Sequence, residues 1–393
     1  MGGTASAFKM NVDGVSTVEA DNITLDANDS LYVFVQVNVD TSAINLPFIV
    51  RDSVLISYNG NTDFVQLQAY GQNANYYKNK VLTGNVTWTN TRPYVILGSL
   101  TIDTTATLTI QPGTRIYSHA NAPILVNGSL KCTGTKALPI TFAGDRIDPD
   151  YRDLPASWPG IIFLNTAKDN VMQFSNIKNA YQAIFIANPA INGNPKLTLS
   201  QCIIDNAYNT GLLAINTSIR ADNCLISNCG SNIFLALGGD YNFTHCTVAS
   251  YGNFYIPHLN PVLQVSNFAT QGTQVVLANL NAIFRNCIFW GDGGTIDDEV
   301  IVQKQGTGNF NVTFDHDLYK VVNDPANATL TSVYKNQAPM FDSINTNKQY
   351  YDFHFNQNPT SPAINKGVVT SFLRDLDDRP RANGLPDLGC YER

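Results

Sequence analysis

Three cysteines recur at a fixed interval, and that interval constrains the fold more than any other feature of the chain. Cys202, Cys224 and Cys246 follow one another at steps of 22 residues, and an Ile or Val lies two residues after each. Similar copies surround Cys287 and Ser175. A period in the twenties with apolar residues two apart is typical of a chain that stacks successive coils of short strands.

The composition supports a stacked β-structure. Charged residues make up 14% of the 393 residues, whereas about a quarter is usual. Rows of stacked side chains disfavour repeated like charges, because directly opposed charges repel. The net charge of −7 leaves no basic stripe for phosphates, which argues against nucleic acid as a partner. No apolar run approaches the roughly 18 residues of a transmembrane helix.

From about residue 92, apolar doublets alternate with turns and show no helical period, for example in Leu108-Thr-Ile110 and Ile140-Thr-Phe142. Short strands without intervening helices exclude a βαβ sheet. We therefore predict an all-β chain in which residues 81–393 form a parallel β-helix of roughly 10–12 coils at the ~4.8 Å strand spacing. Asn179, Asn206 and Asn228 are expected to stack at one corner, because Asn tolerates the left-handed conformation of sharp turns.

Residues 1–80 do not follow the 22-residue period. Residues 31–39 alternate between apolar and other side chains, which predicts a half-buried strand. Residues 54–58 and 64–70 flank Asn59-Gly60, which predicts a hairpin. Several short strands between turns favour a small N-terminal β-sandwich.

The chain has seven cysteines, and four of them occupy equivalent positions on successive coils. We predict that Cys202, Cys224, Cys246 and Cys287 form an inward ladder of free thiols. A local Cys224–Cys229 disulfide and a metal site are the alternatives. The cysteine and histidine spacings match no zinc motif.

The C-terminal sequence resembles that of a known group of proteins. Three segments are similar to the SPAIDxG, DxDGxxR and DIGAYE signature of secreted bacterial β-helix repeat proteins: Ser361-Pro-Ala-Ile-Asn-Lys-Gly367, Asp375-Leu-Asp-Asp-Arg379-Pro-Arg381 and Asp387-Leu-Gly-Cys-Tyr-Glu392. Leu108-Thr-Ile-Gln-Pro-Gly113 and Ser157-Trp-Pro-Gly160 resemble the same group among Bacteroidetes surface lipoproteins. Here Asn365 and Asp378 replace the usual Asp and Gly of the signature, and Cys390 replaces its Ala.

This resemblance implies a right-handed β-helix and export to the bacterial cell surface or periplasm. It also implies a lipid anchor, with no transmembrane helix. We expect a signal peptide to have been removed, because Met1-Gly2-Gly3 starts a polar stretch. In this group the terminal motif lies at the end of the coil stack, so we expect it to cap the last coil. We predict a monomer.

The sequence contains no complete catalytic set. Glycoside hydrolysis requires two carboxylates about 5–9.5 Å apart, and the galacturonase-type pattern is absent. The nearest candidates for catalysis are Asp297, Asp298, Asp315 and His316, which we interpret as groups in solvated loops and turns. No motif indicates a cofactor, and Ca²⁺ is an option that no Ca²⁺-loop spacing supports. His245, one residue before Cys246, is expected to point outward.

The aromatic residues of a long insertion provide the better argument for binding. Sugars can stack on aromatic rings, and Tyr adds a polar group to its apolar body. The candidates for ligand binding are Tyr251, Tyr255, His258 and Trp290, although the insertion could instead bury these rings. Three hypotheses follow: a non-catalytic surface protein that binds a polysaccharide or glycan, a polysaccharide lyase or glycoside hydrolase, and a structural surface spacer.

Overall fold

The regular secondary structure of the protein consists almost entirely of β-strands, as the computed structural model shows for residues 2–39, 48–355, 357, 360–381 and 384–393. The chain forms two compact units, Met1–Asn75 and Tyr76–Arg393. The first unit begins with a short 3-10 helix, Gly3–Ala5. A three-stranded antiparallel sheet follows, formed by Phe8–Val12 in the centre with Val15–Thr17 and Val33–Val37 on either side. A long hairpin, Phe48–Tyr58 with Asn61–Gly71, completes the described part of the unit.

The hairpin confirms the turn predicted at Asn59-Gly60. Both residues have positive φ, 43° and 80°, which suits the tight turns that match strand twist. The strand Val33–Val37 is present, but all five of its residues are exposed. The expectation of a half-buried strand was therefore wrong, because neither face of the strand is buried. The sandwich arrangement of this unit stays a prediction.

The second unit is a parallel β-helix with three sheets, which we call sheets A, B and C in the order in which each coil visits them. Pairing is parallel between equivalent strands of successive coils, for example Ile203–Asp205 with Leu225–Ser227. Ten strands follow one another in sheet C. This confirms the predicted number of coils.

The strands fall into five groups, in the order sheet A; sheet B; sheet C; strands bending from A to B; and strands bending from B to C. The strands of sheet A are Arg115–Ser118, Ile140–Gly144, Ser175–Lys178, Ile203–Asp205, Leu225–Ser227, Thr247–Ser250, Ile288–Gly291, Leu318–Tyr319 and Tyr334–Lys335, and those of sheet B are Ile124–Val126, Ile161–Phe163, Gln182–Ala187, Leu263–Ser266 and Val300–Gln303. The strands of sheet C are Asn85–Trp88, Thr107–Ile110, Ser129–Thr133, Asn170–Gln173, Leu197–Ser200, Leu280–Arg285, Phe310–Asp315 and Thr329–Thr331. The strands that bend from A to B are Asn75–Leu82 and Tyr94–Ile102, and those that bend from B to C are Thr210–Asp222 and Ser231–Thr244.

Stacked apolar columns fill the interior, because alternate residues of every strand point inward. In sheet C, Phe243, Phe284 and Phe314 stack with centroid distances of 5.6 and 5.0 Å. All three rings are fully buried. Aromatic stacking of this kind contributes about 0.5–1.5 kcal/mol per pair beyond the area that is buried.

The corner between sheets C and A has one left-handed residue per coil. These residues have φ between 49° and 58° and directly precede the ladder position: Gln201, Asn223, His245, Asn286 and His316. We call them the corner row. Asn179, Asn206 and Asn228 have φ of 61°, 57° and 49° and form the predicted second row. Asn206 Nδ2 donates to Asn179 Oδ1 at 2.8 Å, whereas Asn228 Oδ1 accepts from the Tyr251 backbone instead.

All seven cysteines are free and buried, which confirms the thiol ladder and excludes the Cys224–Cys229 disulfide. Burial raises the pKa of the Cys132, Cys229 and Cys390 thiols. Such thiols stay protonated and unreactive. Asp317 takes the ladder position after Cys287, where it is fully buried and accepts the Cys287 N–H at 2.6 Å.

The described residues between 337 and 393, which we call the cover, lie along the outer face of sheet A. The cover contains the hairpin Ser343–Asn345 and Tyr350–Asp352. Its apolar side chains pack against those that sheet A turns outward, with both sets buried: Phe341, Phe353, Phe355, Ala363, Leu376, Leu388, Cys390 and Tyr391 against Leu225, Ala249, Ile288, Trp290 and Leu318. The terminal motif therefore lies along the side of the coil stack. The prediction that it caps the end of the stack was wrong.

The corner row holds the cover in place. Gln201 Nε2 donates to the Asp375 carbonyl at 2.7 Å, and Asn223 Oδ1 accepts from Arg381 Nη2 at 2.9 Å. Asn286 makes two hydrogen bonds with the Val368 backbone, at 2.8 and 2.9 Å. His245 was expected to point outward, but it is fully buried beneath the cover and lies 3.2 Å from Thr370 Oγ1. Asp378 has φ 63°, so an Asp adopts the turn where the signature has Gly.

Candidate functional site

A groove of about 300 Å³ runs between the outer face of sheet C and the edge of the cover. Its floor comes from neighbouring strands in register, where Asp222 lies beside Thr244 and Arg220 beside Asn242. Arg285 extends the column that contains Thr244. The cover supplies the wall through residues 370–372. The outward side chains of this sheet are polar because the sheet faces water on this side.

Asp222 is the carboxylate of the groove and is 9% exposed. Its Oδ2 accepts hydrogen bonds from Ser200 Oγ at 2.8 Å and Asn223 Nδ2 at 3.3 Å. Burial raises the pKa of Asp222 to about 6, although the Ser200 and Asn223 hydrogen bonds act in the opposite direction. A carboxyl group with this pKa can exchange a proton near neutral pH.

Two arginines line the same groove. Arg220 is exposed and forms no ion pair with any residue that the structure describes. Arg285 Nε donates to Asp315 Oδ2 at 2.8 Å, and its side chain is 45% exposed. Guanidinium groups bind carboxylates in a bidentate geometry, so the groove can accept an anionic group next to neutral hydroxyls.

The four candidates for catalysis form two adjacent pairs, Asp315 with His316 and Asp297 with Asp298, and no hydrogen bond or ion pair among the described residues joins the pairs into one site. Asp315 ends a sheet C strand, where it binds Arg285 and lies 2.7 Å from His316 Nδ1. Burial would raise the pKa of Asp315, but the hydrogen bonds from His316 and Arg285 lower it overall. Asp298 Oδ1 accepts the Val322 N–H at 2.6 Å beyond the opposite edge of sheet A, and the neighbouring Asp297 is exposed. The geometry favours turn and loop roles for these four residues.

A second cavity, of about 600 Å³, lies at the corner between sheets A and B, and we call it the corner pocket. Tyr251 and His258, two of the candidates for ligand binding, line it together with Phe254. Tyr255 is 42% exposed and packs edge-on against Phe254, outside the lining. Trp290 is 7% exposed and lies in the cluster beneath the cover, so its ring supports packing and offers no face to a ligand.

The corner pocket owes its shape to the longest insertion. The loop of residues 251–262 connects sheet A to sheet B, and a hairpin that the sequence did not predict, Phe268–Gln271 with Gln274–Leu277, follows in the same coil. His258 Nε2 lies 2.8 Å from Glu299 Oε1, and both side chains are buried. Glu299 Oε2 also accepts the Val262 N–H at 3.2 Å.

Sequence reasoning missed the groove. It did not single out Asp222, Arg220 or Arg285 as candidates. A usable signal existed, since Arg220 and Asp222 are two residues apart on one strand and therefore share its outer face. Among the described residues, no group of three or more His, Cys, Asp or Glu could hold a metal ion. Over the same residues, no helix has the length and hydrophobicity needed to cross a membrane.

Comparison with known proteins supports the architecture. Residues 80–192 match the family model of a pectate-lyase-like beta helix domain. No curated protein and no solved structure matches the chain. The matched segment ends before the groove and the corner pocket, so no residue role carries over to either. The match and the fold together support a parallel β-helix repeat architecture, and the matched domain fits surface or polysaccharide-related roles.

Proposed function

We propose that the protein binds an acidic polysaccharide in the groove beside sheet C. The observation that carries this proposal is the meeting of Arg220, Arg285 and Asp222 on a floor of hydroxyl and amide side chains. The matched β-helix domain supports a polysaccharide-related role, and the polar outer face of the stack supplies the surface.

The chemistry of the groove fits a chain that contains uronic acids. Each arginine can pair with a sugar carboxylate. Asn242 and Thr244 offer hydrogen-bond groups to hydroxyls, and Phe372 at the wall offers an apolar surface for sugar C–H groups. A polysaccharide ligand also fits export to the cell surface or periplasm and lipid anchoring, which we propose on the resemblance of the C-terminal motif.

Affinity measurements with polygalacturonate and alginate oligomers test this proposal. We expect Arg220→Ala and Arg285→Ala each to weaken binding at least tenfold, because each removes one charged contact worth roughly 1.5–3 kcal/mol. Lys131→Ala is the matched control, since Lys131 is an exposed cation on the outer face of the same sheet in an earlier coil. Equal losses in all three variants would point to unspecific charge attraction and contradict a defined site.

A second candidate function is β-elimination of the same polysaccharide, which the raised pKa of Asp222 favours. Above pH 6 the carboxylate of Asp222 could take the C–H proton next to a uronate carboxyl group, while the arginines stabilise the negative charge. The glycosidic C–O bond then breaks as the C=C bond forms, and the departing oxygen takes a proton from water. Hydrolysis is less favoured, because Asp222 is the one carboxylate among the described residues that line the groove and hydrolases require two.

Incubation with the same oligomers separates binding from elimination. An unsaturated product that absorbs in the ultraviolet, formed by the wild type and lost in Asp222→Asn, would establish the lyase. Binding without product supports the non-catalytic function. The absence of both would favour the structural spacer.

A further inference from the structure

The corner pocket differs from the groove in its charge. Apart from His258, the residues around it are uncharged: Tyr251, Gly252, Asn253, Phe254, Pro257, Leu259, Gly293, Gly294, Thr295, Thr346, Asn347 and Gln349. The volume of about 600 Å³ lies within the range of small-molecule sites, roughly 300–1,000 Å³. The pocket therefore has space and hydrogen-bonding groups for a small ligand, but no Lys or Arg for an anionic one.

We propose that the corner pocket is a second carbohydrate site, which binds a neutral mono- or disaccharide unit. This proposal rests on the proposed function, because it also takes the ligand to be a glycan. It adds that the polysaccharide contains neutral sugars as well as uronic acids. The groove would bind the acidic units through arginine, and the corner pocket would bind a neutral unit through stacking and uncharged hydrogen bonds.

Phe254 is the stacking surface of this site. Its side chain is 83% exposed, although it borders the pocket and contacts Tyr255 at a centroid distance of 5.3 Å. A large aromatic ring exposed at the rim of a concave site is a recurrent feature of ligand recognition, because covering it with apolar C–H groups is favourable. Tyr251 anchors the floor, where its ring packs against Phe341 and Phe353 of the cover.

His258 is the fixed polar group of this site. Glu299 holds Nε2, so the ring orientation is set, and Nδ1 makes no hydrogen bond with any described residue. Gly291 and Gly294 allow this placement, because a Cβ at Gly291 would overlap with the side chains of Glu299 and His258, and one at Gly294 with His258 itself. A histidine nitrogen left free at the edge of a cavity is available to a ligand hydroxyl.

Calorimetric titration of the full chain tests the proposal with glucose, galactose, N-acetylglucosamine, maltose and cellobiose as probes. We expect at least one of these neutral sugars to bind, and Phe254→Ala to weaken that binding at least tenfold. Tyr181→Ala is the matched control, because Tyr181 is an exposed aromatic residue at the same corner of an earlier coil, outside the lining, and it should leave the affinity within twofold. His258→Gln should also weaken binding, with circular dichroism used to verify the fold.

The two sites are separated by their own variants. Arg285→Ala should leave neutral-sugar affinity unchanged, and Phe254→Ala should leave binding of polygalacturonate oligomers unchanged. Failure of acidic binding alone would reject the proposed function and leave the corner pocket standing. No binding of any of the five neutral sugars, or binding that Phe254→Ala does not alter, would overturn the corner-pocket proposal.

Discussion

The outer faces of sheets A and C belong to the same coils but have opposite chemistry. The outer face of sheet A is apolar, with Leu225, Ile288 and Trp290 buried beneath the cover. The outer face of sheet C is polar and open, and it carries Arg220 and Arg285 into the groove. The interior columns are similar in both sheets. The difference teaches that in a solenoid the inward residues determine the coil, whereas the outward residues determine what each face contacts.

The largest expected effects concern the covered face. Trp290→Ala should lower the free energy of unfolding by about 3–5 kcal/mol, the usual cost of removing a buried Trp or Phe side chain. Arg285→Ala, in the same coil but on the open face, should cost less than about 1 kcal/mol, as exposed ion pairs do. Urea denaturation measures both. Similar losses would show that the two faces do not differ in this way.

Arg381→Ala should destabilise the attachment of the cover by a comparable amount, about 3–5 kcal/mol. Arg381 Nη1 donates to Glu392 Oε2 at 2.9 Å, and both side chains are buried, so the variant leaves a buried carboxylate without its cation. Arg374→Ala is the control, because Arg374 also lies in the cover but forms an exposed ion pair with Asp378, at 3.5 Å. If Arg381→Ala lowered the free energy of unfolding by less than about 1 kcal/mol, the Arg381–Glu392 ion pair would not be important for attaching the cover.

A pH titration should distinguish the two faces. Burial raises the pKa of Asp222 on the open face from 3.8 to about 6, so the native state holds an extra proton between these values. Stability should therefore fall by about 2 kcal/mol as the pH rises from 4 to 6. Asp222→Asn should remove this fall. A pH profile that is identical in the variant would show that Asp222 titrates normally.

His354 in the cover should act in a higher pH window. Burial alone would lower the pKa of His354, but hydrogen bonds to Asp377 and Asp352 outweigh it and raise the pKa above 6.5. The stability it contributes should be complete below pH 6.5 and lost as the pH rises through the raised value. His354→Asn should flatten this part of the unfolding profile, and a wild-type profile that is already flat above pH 6.5 would contradict the assignment.

Thiol labelling offers the finest comparison. All seven cysteines should be unreactive in the folded protein and reactive in denaturant without reductant, because all are buried and free. Cys390 lies in the cover, and the other six lie in the coils. In Arg381→Ala we expect Cys390 to label first, as the cover loosens before the coils. Simultaneous labelling of all seven would show that cover and coils open together.

The repeat was predictable because it is local in sequence. The 22-residue step placed Cys202, Cys224 and Cys246 correctly, and the turn at Asn59-Gly60 followed from two residues. The cover and the groove could not be predicted, because their contacts join residues that are far apart in the sequence. Asn223 and Arg381, for example, are 158 positions apart. One signal was overlooked, since Ile288-Phe289-Trp290 is apolar on both faces of its strand, and such strands are typically covered on both sides.

The hydrogen bonds of the corner row limit how the number of coils can change during evolution. Solenoids ordinarily gain or lose whole repeats at little cost, because each unit contacts only its neighbours. Here Gln201, Asn223 and Asn286 each bind a different point of one continuous segment. Adding or deleting a coil between them would displace every later point by ~4.8 Å. We therefore expect repeat number to be fixed from residue 201 to residue 286, and growth by duplication to be tolerated only in coils that this molecular ruler does not span.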